Sequence, residues 1–203
     1  MVPPPAASGG RRELESGLLL RAYANGYFPM ADDRTGPIRW YSPDPRAVIP
    51  LEGFKVARSL RQTLKKGSFE VRTDTAFEAV MRGCASREDT WISEGIVEAY
   101  AELHRLGRAH SVEAWRGVAL AGGLYGVSLG GAFFGESMFS VERDASKVAL
   151  VALVERLRMR GFGLLDIQFM TPHLARFGAV NLNREVYLGM LKEALSRPCT
   201  FTD

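Results

Sequence analysis

The segment LLDIQF at 164–169 is apolar except for one acid and one amide, which lie two positions apart. Side chains alternate along a strand, so Asp166 and Gln168 are expected on one face, with backbones about 7 Å apart. A carboxylate in such apolar surroundings must be hydrogen-bonded or functional, because its desolvation is costly. The pattern predicts a catalytic pair or a structural hydrogen bond to a helix end or turn, with equal weight.

A second acid lies in an equally apolar segment, AFFGESMFS at 132–140. Glu136 shares its predicted strand face with Phe134 and Met138, so an unpaired charge there would be expensive to desolvate. A cationic partner or an active site would explain its presence.

Other candidates have common structural explanations. Leu150, Leu153 and Leu157 form a helical stripe, which is core far more often than a pocket wall. Trp91 precedes Ser93, the expected cap of a helix, and an aromatic at such a boundary packs more often than it stacks on a base. The histidines show no metal-ligand spacing with each other or with the two cysteines, so no metal site and no cofactor are expected.

Residues 55–66 predict a helix with one basic face opposite an apolar stripe. Its cations, with no acid among them, include Arg58, Arg61, Lys65 and Lys66. An ordinary solvated surface and contact with phosphates explain this face about equally well, and the absence of acids favours RNA.

Arg158, Gly161 and Gly163 match the R-x-x-G-x-G pattern of pyrophosphate binding in acyl-CoA acetyltransferases. That function requires a strand, a glycine loop and then a helix N-terminus, whereas here a helix ends and a strand begins. The order of elements is therefore wrong for the motif.

The remaining pattern predicts a mixture of helices and strands. A helix ends at Gly26 and a loop follows at 29–46, in which the three prolines of 37–46 predict an ordered connection between two lobes. Strands at 110–116, 118–128 and 132–138 are predicted to form an antiparallel meander. Asp144, Thr171 and Asn183 are expected to cap helices. Residues 1–12 are predicted as a disordered tail, 13–55 as a small N-terminal domain and 56–203 as a larger domain.

The composition is that of a globular protein, with 46% hydrophobic and 24% charged residues and a net charge of +3. No apolar run reaches the ~18 residues of a membrane span, and the N-terminus lacks the apolar core of a secretion signal. Two distant cysteines favour reduced thiols over a disulfide. These features predict a cytoplasmic protein without a membrane partner.

Several segments together resemble a family, the bacterial leucyl/phenylalanyl-tRNA-protein transferases. They are YANGYFPM (23–30), WYSPDPRAV (40–48), GCASREDTWI (83–92), VEAYAELHRLGRAHSVEAW (97–115), GGLYGV (122–127), FFGESMFS (133–140), DASKVAL (144–150) and LLDIQF (164–169). The sequence departs from some members at Met30, where they have Trp, and at Thr171, where they have Asn.

The resemblance implies an α/β (α+β) fold, with a GNAT-like acyltransferase domain of mixed, largely antiparallel sheet after a small N-terminal domain. It implies aminoacyl-tRNA as donor of Leu or Phe, and acceptor proteins with N-terminal Lys or Arg that are thereby marked for degradation. By position, Asp166, Gln168 and Glu136 match catalytic residues, Trp91 matches a contact of the 3' adenosine, and Arg58, Arg61, Lys65 and Lys66 match a tRNA-facing cluster. Pocket positions of the family are matched by Leu124, Phe133, Met138, Leu150, Leu153, Leu157 and Leu165.

The expected chemistry is attack of an amine on an activated ester, which needs neither ATP nor metal. Our hypothesis is that Asp166 orients Gln168, which positions the amine, while Glu136 holds polar groups in the cleft. An amide is a poor base, so water or the tRNA is also a candidate proton acceptor. Two other classes of function stay open: an acetyl-CoA-dependent GNAT N-acetyltransferase and a non-catalytic tRNA-binding module.

Overall fold

The computed structural model of the protein describes residues 14–87 and 90–202. In these residues the helices are α1 (Ser16–Ala24), α2 (Arg58–Lys65), α3 (Phe77–Ala85), α4 (Glu94–Arg105), α5 (Ala145–Met159), α6 (Pro172–Ala175) and α7 (Arg184–Leu195). The strands are β1 (Phe28–Ala31), β2 (Ile38–Tyr41), β3 (Arg46–Ile49), β4 (Glu70–Thr73), β5 (Ala109–Arg116), β6 (Ala119–Leu129), β7 (Ala132–Ser140), β8 (Leu164–Gln168) and β9 (Val180–Leu182).

Seven of the strands form one sheet in the order β4-β5-β6-β7-β8-β3-β9. Every neighbouring pair is antiparallel except β7 and β8, which run parallel. A parallel pair needs a crossover connection, and α5 supplies it. The predicted mixture of helices with a mixed, largely antiparallel sheet is therefore confirmed.

Helices cover both faces of this sheet and bury two hydrophobic clusters. One cluster joins α1, α3, α4 and α7 to one face, with Tyr23, Val80, Tyr100 and Leu191 among its members. The other joins α5 to the opposite face and contains all three leucines of the α5 stripe, each at most 2% exposed. The interior strands β7 and β8 thus lie between two well-packed layers.

Most of the predicted helix caps are confirmed, and one is wrong. The side chains of Ser93, Thr171 and Asn183 accept hydrogen bonds from backbone N–H groups in the first turns of α4, α6 and α7. Asp144 precedes α5 but its side chain makes no capping bond, because the residue has a left-handed backbone with φ of 70°. Its carboxylate pairs instead with Lys147 at 2.6 Å.

The segment predicted as a loop, 29–46, contains all of the β1–β2 hairpin except Phe28 and reaches the first residue of β3. Strand β3, which was predicted in the N-terminal domain, lies in the large sheet between β8 and β9. Strand β3 pairs with β8 on one side and with β9 on the other, so Arg46–Ile49 are part of the large sheet. The predicted tail at 1–12 lies outside the described residues. Within the described part of the chain, no helix is long and apolar enough to cross a membrane.

Candidate active site

A cavity of about 450 Å³ opens where β7 and β8 separate. The parallel pairing of these strands ends at Phe134 and Asp166, although both strands continue beyond that point. On β7 the next residues form a bulge, since Tyr125 and Gly126 of β6 pair with Ser137 and Gly135 and leave Glu136 without a partner in the ladder. Both strand ends line this opening, which we call the central cavity.

The walls of the central cavity are mostly apolar. Of the predicted pocket residues, the cavity is lined by Leu124, Met138, Leu150, Leu153 and Leu165. Phe133 and Leu157 do not line it: both are fully buried in the cluster behind the cavity, where Phe133 stacks on Phe201 with ring centroids 5.1 Å apart. Further lining residues that the sequence did not single out include Ile167, Phe169, His173 and Leu174.

Glu136 is the acid of the central cavity and accepts hydrogen bonds from neutral donors. Its Oε1 accepts from the Tyr23 hydroxyl at 2.7 Å and from Gln168 Nε2 at 2.9 Å, and its Oε2 accepts from the Tyr100 hydroxyl at 3.4 Å. The two tyrosine hydroxyls also hydrogen-bond to each other. These donors come from α1, α4 and the end of β8, so three separate elements surround one carboxylate.

Burial raises the pKa of Glu136 most, the Tyr23 and Gln168 hydrogen bonds lower it, and the charges of Asp166 and Arg46 raise and lower it respectively. The resulting pKa is about 7. A carboxyl group with a pKa near neutrality can gain and lose a proton at physiological pH. With 8% of its surface exposed, Glu136 lies at the cavity wall. The geometry therefore offers a proton acceptor next to an apolar pocket.

Asp166 lies in different surroundings, fully buried and directly paired with a cation. Arg46 of β3 binds it through two guanidinium nitrogens, with Nη2 at 2.7 Å from Oδ2 and Nε at 2.9 Å from Oδ1. The Tyr187 hydroxyl donates to Oδ2 at 2.7 Å. Arg46 itself is enclosed between the rings of Phe28 and Tyr187, at 4.6 and 4.8 Å from their centroids.

Gln168 connects these two carboxylates, but not in the predicted way. Its backbone N–H donates to Asp166 Oδ1 at 2.8 Å, while its side-chain amide donates to Glu136. The backbone of Gln168 has a φ of 65°, which an L residue adopts only at a cost of order 1–3 kcal/mol. Asp166 thus holds the strained strand end in place, and the strained backbone directs the amide of Gln168 to Glu136.

Trp91 and the basic residues of the α2 region were predicted to contact RNA. Trp91 lines the central cavity in part, whereas the basic residues lie outside it. Half-buried Trp91 lines the central cavity and also a neighbouring cavity of about 530 Å³ beside the β1–β2 turn. On α2, the side chains of Arg58, Arg61, Lys65 and Lys66 are exposed, and none of them forms an ion pair with another described residue. The described ranges 14–87 and 90–202 contain no cluster of three or more His, Cys, Asp and Glu that could hold a metal ion.

Two family models match the chain: residues 48–192 match "Leucyl/phenylalanyl-tRNA protein transferase", and residues 12–44 match the N-terminal domain of the same family. The chain belongs to the leucyl/phenylalanyl-tRNA protein transferase family. The resemblance stated from the sequence is thereby confirmed, and membership in a family of enzymes decides against the acetyl-CoA enzyme and the non-catalytic module.

Full-length relatives in this transferase family are closely similar. The protein named leucyl/phenylalanyl-tRNA–protein transferase from Herpetosiphon aurantiacus is 56% identical over 191 residues, covering 94% of this chain and 99% of that protein. The protein of the same name from Chlorobaculum parvum is 54% identical over 187 residues, covering 90% and 96%. Among solved structures, L-PGS from Bacillus licheniformis matches with a TM-score of 0.47 and 9% identity, covering 76% of this chain and 65% of that chain.

The sequence analysis did not identify four residues that organise this candidate site: Tyr23, Arg46, Tyr100 and Tyr187. Each is at most 2% exposed and bonds to one of the two buried carboxylates. Tyr23 and Arg46 lie within the matching segments YANGYFPM and WYSPDPRAV, and Tyr100 lies within VEAYAELHRLGRAHSVEAW. Arg46 at the start of an apolar strand is the signal that would have pointed to a buried acid, because a buried charge needs a partner.

Proposed function

We propose that this protein transfers leucine or phenylalanine from aminoacyl-tRNA to the N-terminal Lys or Arg of acceptor proteins, forming a peptide bond that marks them for proteolysis. The observation that carries this proposal is the central cavity itself, an apolar pocket with a single buried carboxylate at its wall. Such a pocket fits a bulky apolar amino acid, and the carboxylate is placed to handle the proton that peptide-bond formation releases.

The aminoacyl side chain occupies the part of the central cavity lined by Leu150 and Leu153 of α5 and Leu165 of β8. Discrimination by size follows, because a difference of one methylene in an apolar pocket changes binding by about 1–3 kcal/mol. Charged side chains are excluded, since no described group on this wall compensates their desolvation.

Glu136 acts as the catalytic residue and accepts the proton of the attacking amine. The amine nitrogen forms a bond to the ester carbonyl carbon, and the bond from that carbon to the ribose oxygen breaks. The amine loses one proton to the Glu136 carboxylate, which returns it to the leaving ribose oxygen, so protons balance over the cycle. The ester provides the driving force, and holding amine and ester together contributes up to ~7–11 kcal/mol in favourable cases.

Gln168 and Asp166 act as positioning residues. Because the Gln168 Nε2 donates to Glu136, its carbonyl oxygen is turned away from the carboxylate and is free to accept a hydrogen bond from the amine. Asp166 holds the backbone at this position, and Arg46 holds Asp166. This division of roles replaces the hypothesis that Asp166 orients the amide of Gln168 directly.

The donor tRNA contacts two further regions. Trp91 stacks on the terminal adenosine, since its ring lies at the wall of the central cavity where the ester must emerge. The exposed cations of α2 contact phosphates of the tRNA body, namely Arg58, Arg61, Lys65 and Lys66. An aminoacyl-tRNA substrate locates the reaction in the cytoplasm, where these tRNAs are used.

The larger unit has a GNAT-like acyltransferase fold, supported by a mixed sheet whose one parallel pair separates around the cavity. A small N-terminal domain precedes it, supported by the separate β1–β2 hairpin and by the separate match of residues 12–44.

The decisive experiment measures transfer of radiolabelled leucine or phenylalanine from charged tRNA to peptides that begin with Lys, Arg or Ala. We expect labelling of the Lys and Arg peptides and little of the Ala peptide, with no requirement for ATP. Acetylation of the same peptides from acetyl-CoA without tRNA, or tRNA binding without labelling, would contradict the proposal.

A further inference from the structure

A second cavity of about 350 Å³ shares a wall with the central cavity and is not used by the chemistry proposed above. Arg87, Met138 and His173 line both cavities, while Phe139, Ser140, Val141 and Ser146 line only the second. We propose that this adjacent cavity binds the single-stranded 3' segment of the donor tRNA, namely the phosphodiester and base that precede the terminal adenosine. The inference rests on the proposed function, because it extends the path of the same donor.

The charge around the adjacent cavity fits a phosphodiester. Arg87 is exposed there and anchored by a hydrogen bond to the Met138 carbonyl. Burial lowers the pKa of His173, and the positive charges of Lys147 and Arg176 lower it further. Among the described residues, Arg87 is the cation that lines this cavity, while nearby Asp144 is paired with Lys147 and Glu142 with Arg116.

The half-buried ring of Phe139 offers a stacking surface for a base. The ring packs against Gly83 of α3. A Cβ at position 83 would lie 2.7 Å from the ring and displace it. Aromatic rings in single-strand binding sites contribute about 1–3 kcal/mol per stacked base, independent of sequence. Every tRNA ends in the same kind of flexible 3' strand, so a tolerant surface of this type suits it.

The adjacent cavity also lies between the reaction site and the basic helix. Ser146, in its wall, belongs to the first turn of α5, and Asp144 just before α5 is contacted by Thr63 of α2 at 3.4 Å. A tRNA whose body lies on α2 and whose ester lies in the central cavity could therefore pass through the adjacent cavity. An acceptor protein with N-terminal Lys or Arg is disfavoured here, because its own positive charges would meet those of the cavity.

The test compares two donors, leucyl-tRNA and 3'-O-leucyl-adenosine, the second of which lacks any phosphodiester. The variant Val141→Glu adds a negative charge at a side chain that is 76% exposed, so it leaves the fold intact. The matched control is Val118→Glu, at a side chain that is 96% exposed in the β5–β6 turn. Leucine transfer to a peptide beginning with Lys is measured for both variants and the wild-type protein.

We expect Val141→Glu to lower kcat/KM for leucyl-tRNA by roughly five- to tenfold through repulsion of a phosphate, and to change kcat/KM for leucyl-adenosine less than twofold. Val118→Glu should change neither value by more than about twofold. The proposal is overturned if Val141→Glu slows both donors equally, slows neither more than the control does, or raises the KM of the peptide instead. Failure of the proposed function is distinct, because the wild-type protein would then transfer leucine from neither donor.

Discussion

The two buried carboxylates of the site differ in what neutralises them. Asp166 has a bidentate guanidinium partner and a tyrosine hydroxyl, is fully enclosed, and does not line the central cavity. Glu136 has only tyrosine hydroxyls and an amide as direct partners, and it lines the cavity. Asp166 is ion-paired and inaccessible, whereas Glu136 is near its titration midpoint at neutral pH, with a pKa of about 7.

This difference shows how one apolar environment supports two roles. A buried acid with a bound cation has no reason to take up a proton and therefore anchors structure. A buried acid with neutral donors keeps a raised pKa and can exchange a proton with a bound molecule. The following predictions test whether Glu136 serves mainly the reaction and Asp166 mainly the stability of the fold.

The largest effect is expected for Glu136→Gln, which keeps the size of the side chain and removes its ability to accept a proton. Leucine transfer should slow by about 10²- to 10⁴-fold, the usual contribution of general acid–base catalysis. In the wild-type protein kcat/KM should rise with pH up to about 7, as Glu136 loses its proton, and this inflection should be absent in the variant. If the variant transfers leucine within threefold of the wild-type rate, Glu136 has a structural role and is not the proton acceptor.

The same variant should be more stable than the wild-type protein at neutral pH. The pKa of Glu136 is raised from 4.5 in the unfolded chain to about 7 in the folded protein, so the folded state binds more protons between these values. The free energy of unfolding therefore falls by up to about 1.4 kcal/mol per pH unit as pH rises through this window, and stays lower above it. Denaturation of both proteins at pH 4.5 and pH 8 measures the difference, which should appear only at the higher pH.

Arg46→Met, in contrast, should lower the free energy of unfolding, because it leaves Asp166 buried without its cation. Removing one partner of a buried ion pair costs about 3–5 kcal/mol, measured as the free energy of unfolding in urea. The control Arg39→Met breaks an ion pair with Asp32 whose arginine side chain is 62% exposed, and should cost less than about 1 kcal/mol. Adding Asp166→Asn to Arg46→Met should restore part of the stability, and a further loss instead would contradict the anchoring role.

A smaller and more selective effect separates the leucines of α5. Leu153→Ala enlarges the central cavity and should raise the ratio of phenylalanine to leucine transfer by roughly tenfold. Leu157→Ala, one helical turn further and fully buried, should cost about 2–5 kcal/mol of stability but leave that ratio unchanged. Equal shifts of the ratio in the two variants would show that the cavity wall extends to Leu157.

The smallest effect is expected on the basic face of α2. Replacing Lys65 and Lys66 with Ala should raise the KM for charged tRNA several-fold and make the slope of log kcat/KM against log salt less negative by up to about 2. Arg105→Ala, which removes an exposed cation of α4, serves as the control. An unchanged salt slope in the double variant would show that this face is an ordinary solvated surface and does not contact tRNA.

Local patterns predicted much of this molecule, because the deciding interactions lie close together in the chain. Ser93, Thr171 and Asn183 cap helices through backbone groups three residues away, and strand alternation identified Glu136 as a charge in an apolar environment. The stripe on α5 was visible in the sequence, but its periodicity does not say how far along the helix the cavity reaches. Leu153 and Leu157 share that stripe and differ only in what lies opposite them.

The partners of the carboxylates were not predictable in the same way. Arg46 and Asp166 are 120 positions apart, and Tyr23 and Glu136 are 113 positions apart, so only the folded sheet brings them together. The left-handed backbone of Gln168 was equally hidden, since strand alternation assumes regular geometry to the end of β8. That one residue turned the predicted Asp166–Gln168 pair into two separate contacts.

Tyr23, Gly26 and Phe28 precede the large sheet in the chain, yet they touch Glu136 or Arg46 directly. Residues 14–44 are therefore not a segment that can be exchanged freely between relatives. A chimaera that joins this segment from one relative to the remainder of another would carry a hydroxyl from one parent and a carboxylate from the other. Compatibility between the parents would have to be judged at these few buried contacts rather than at the junction.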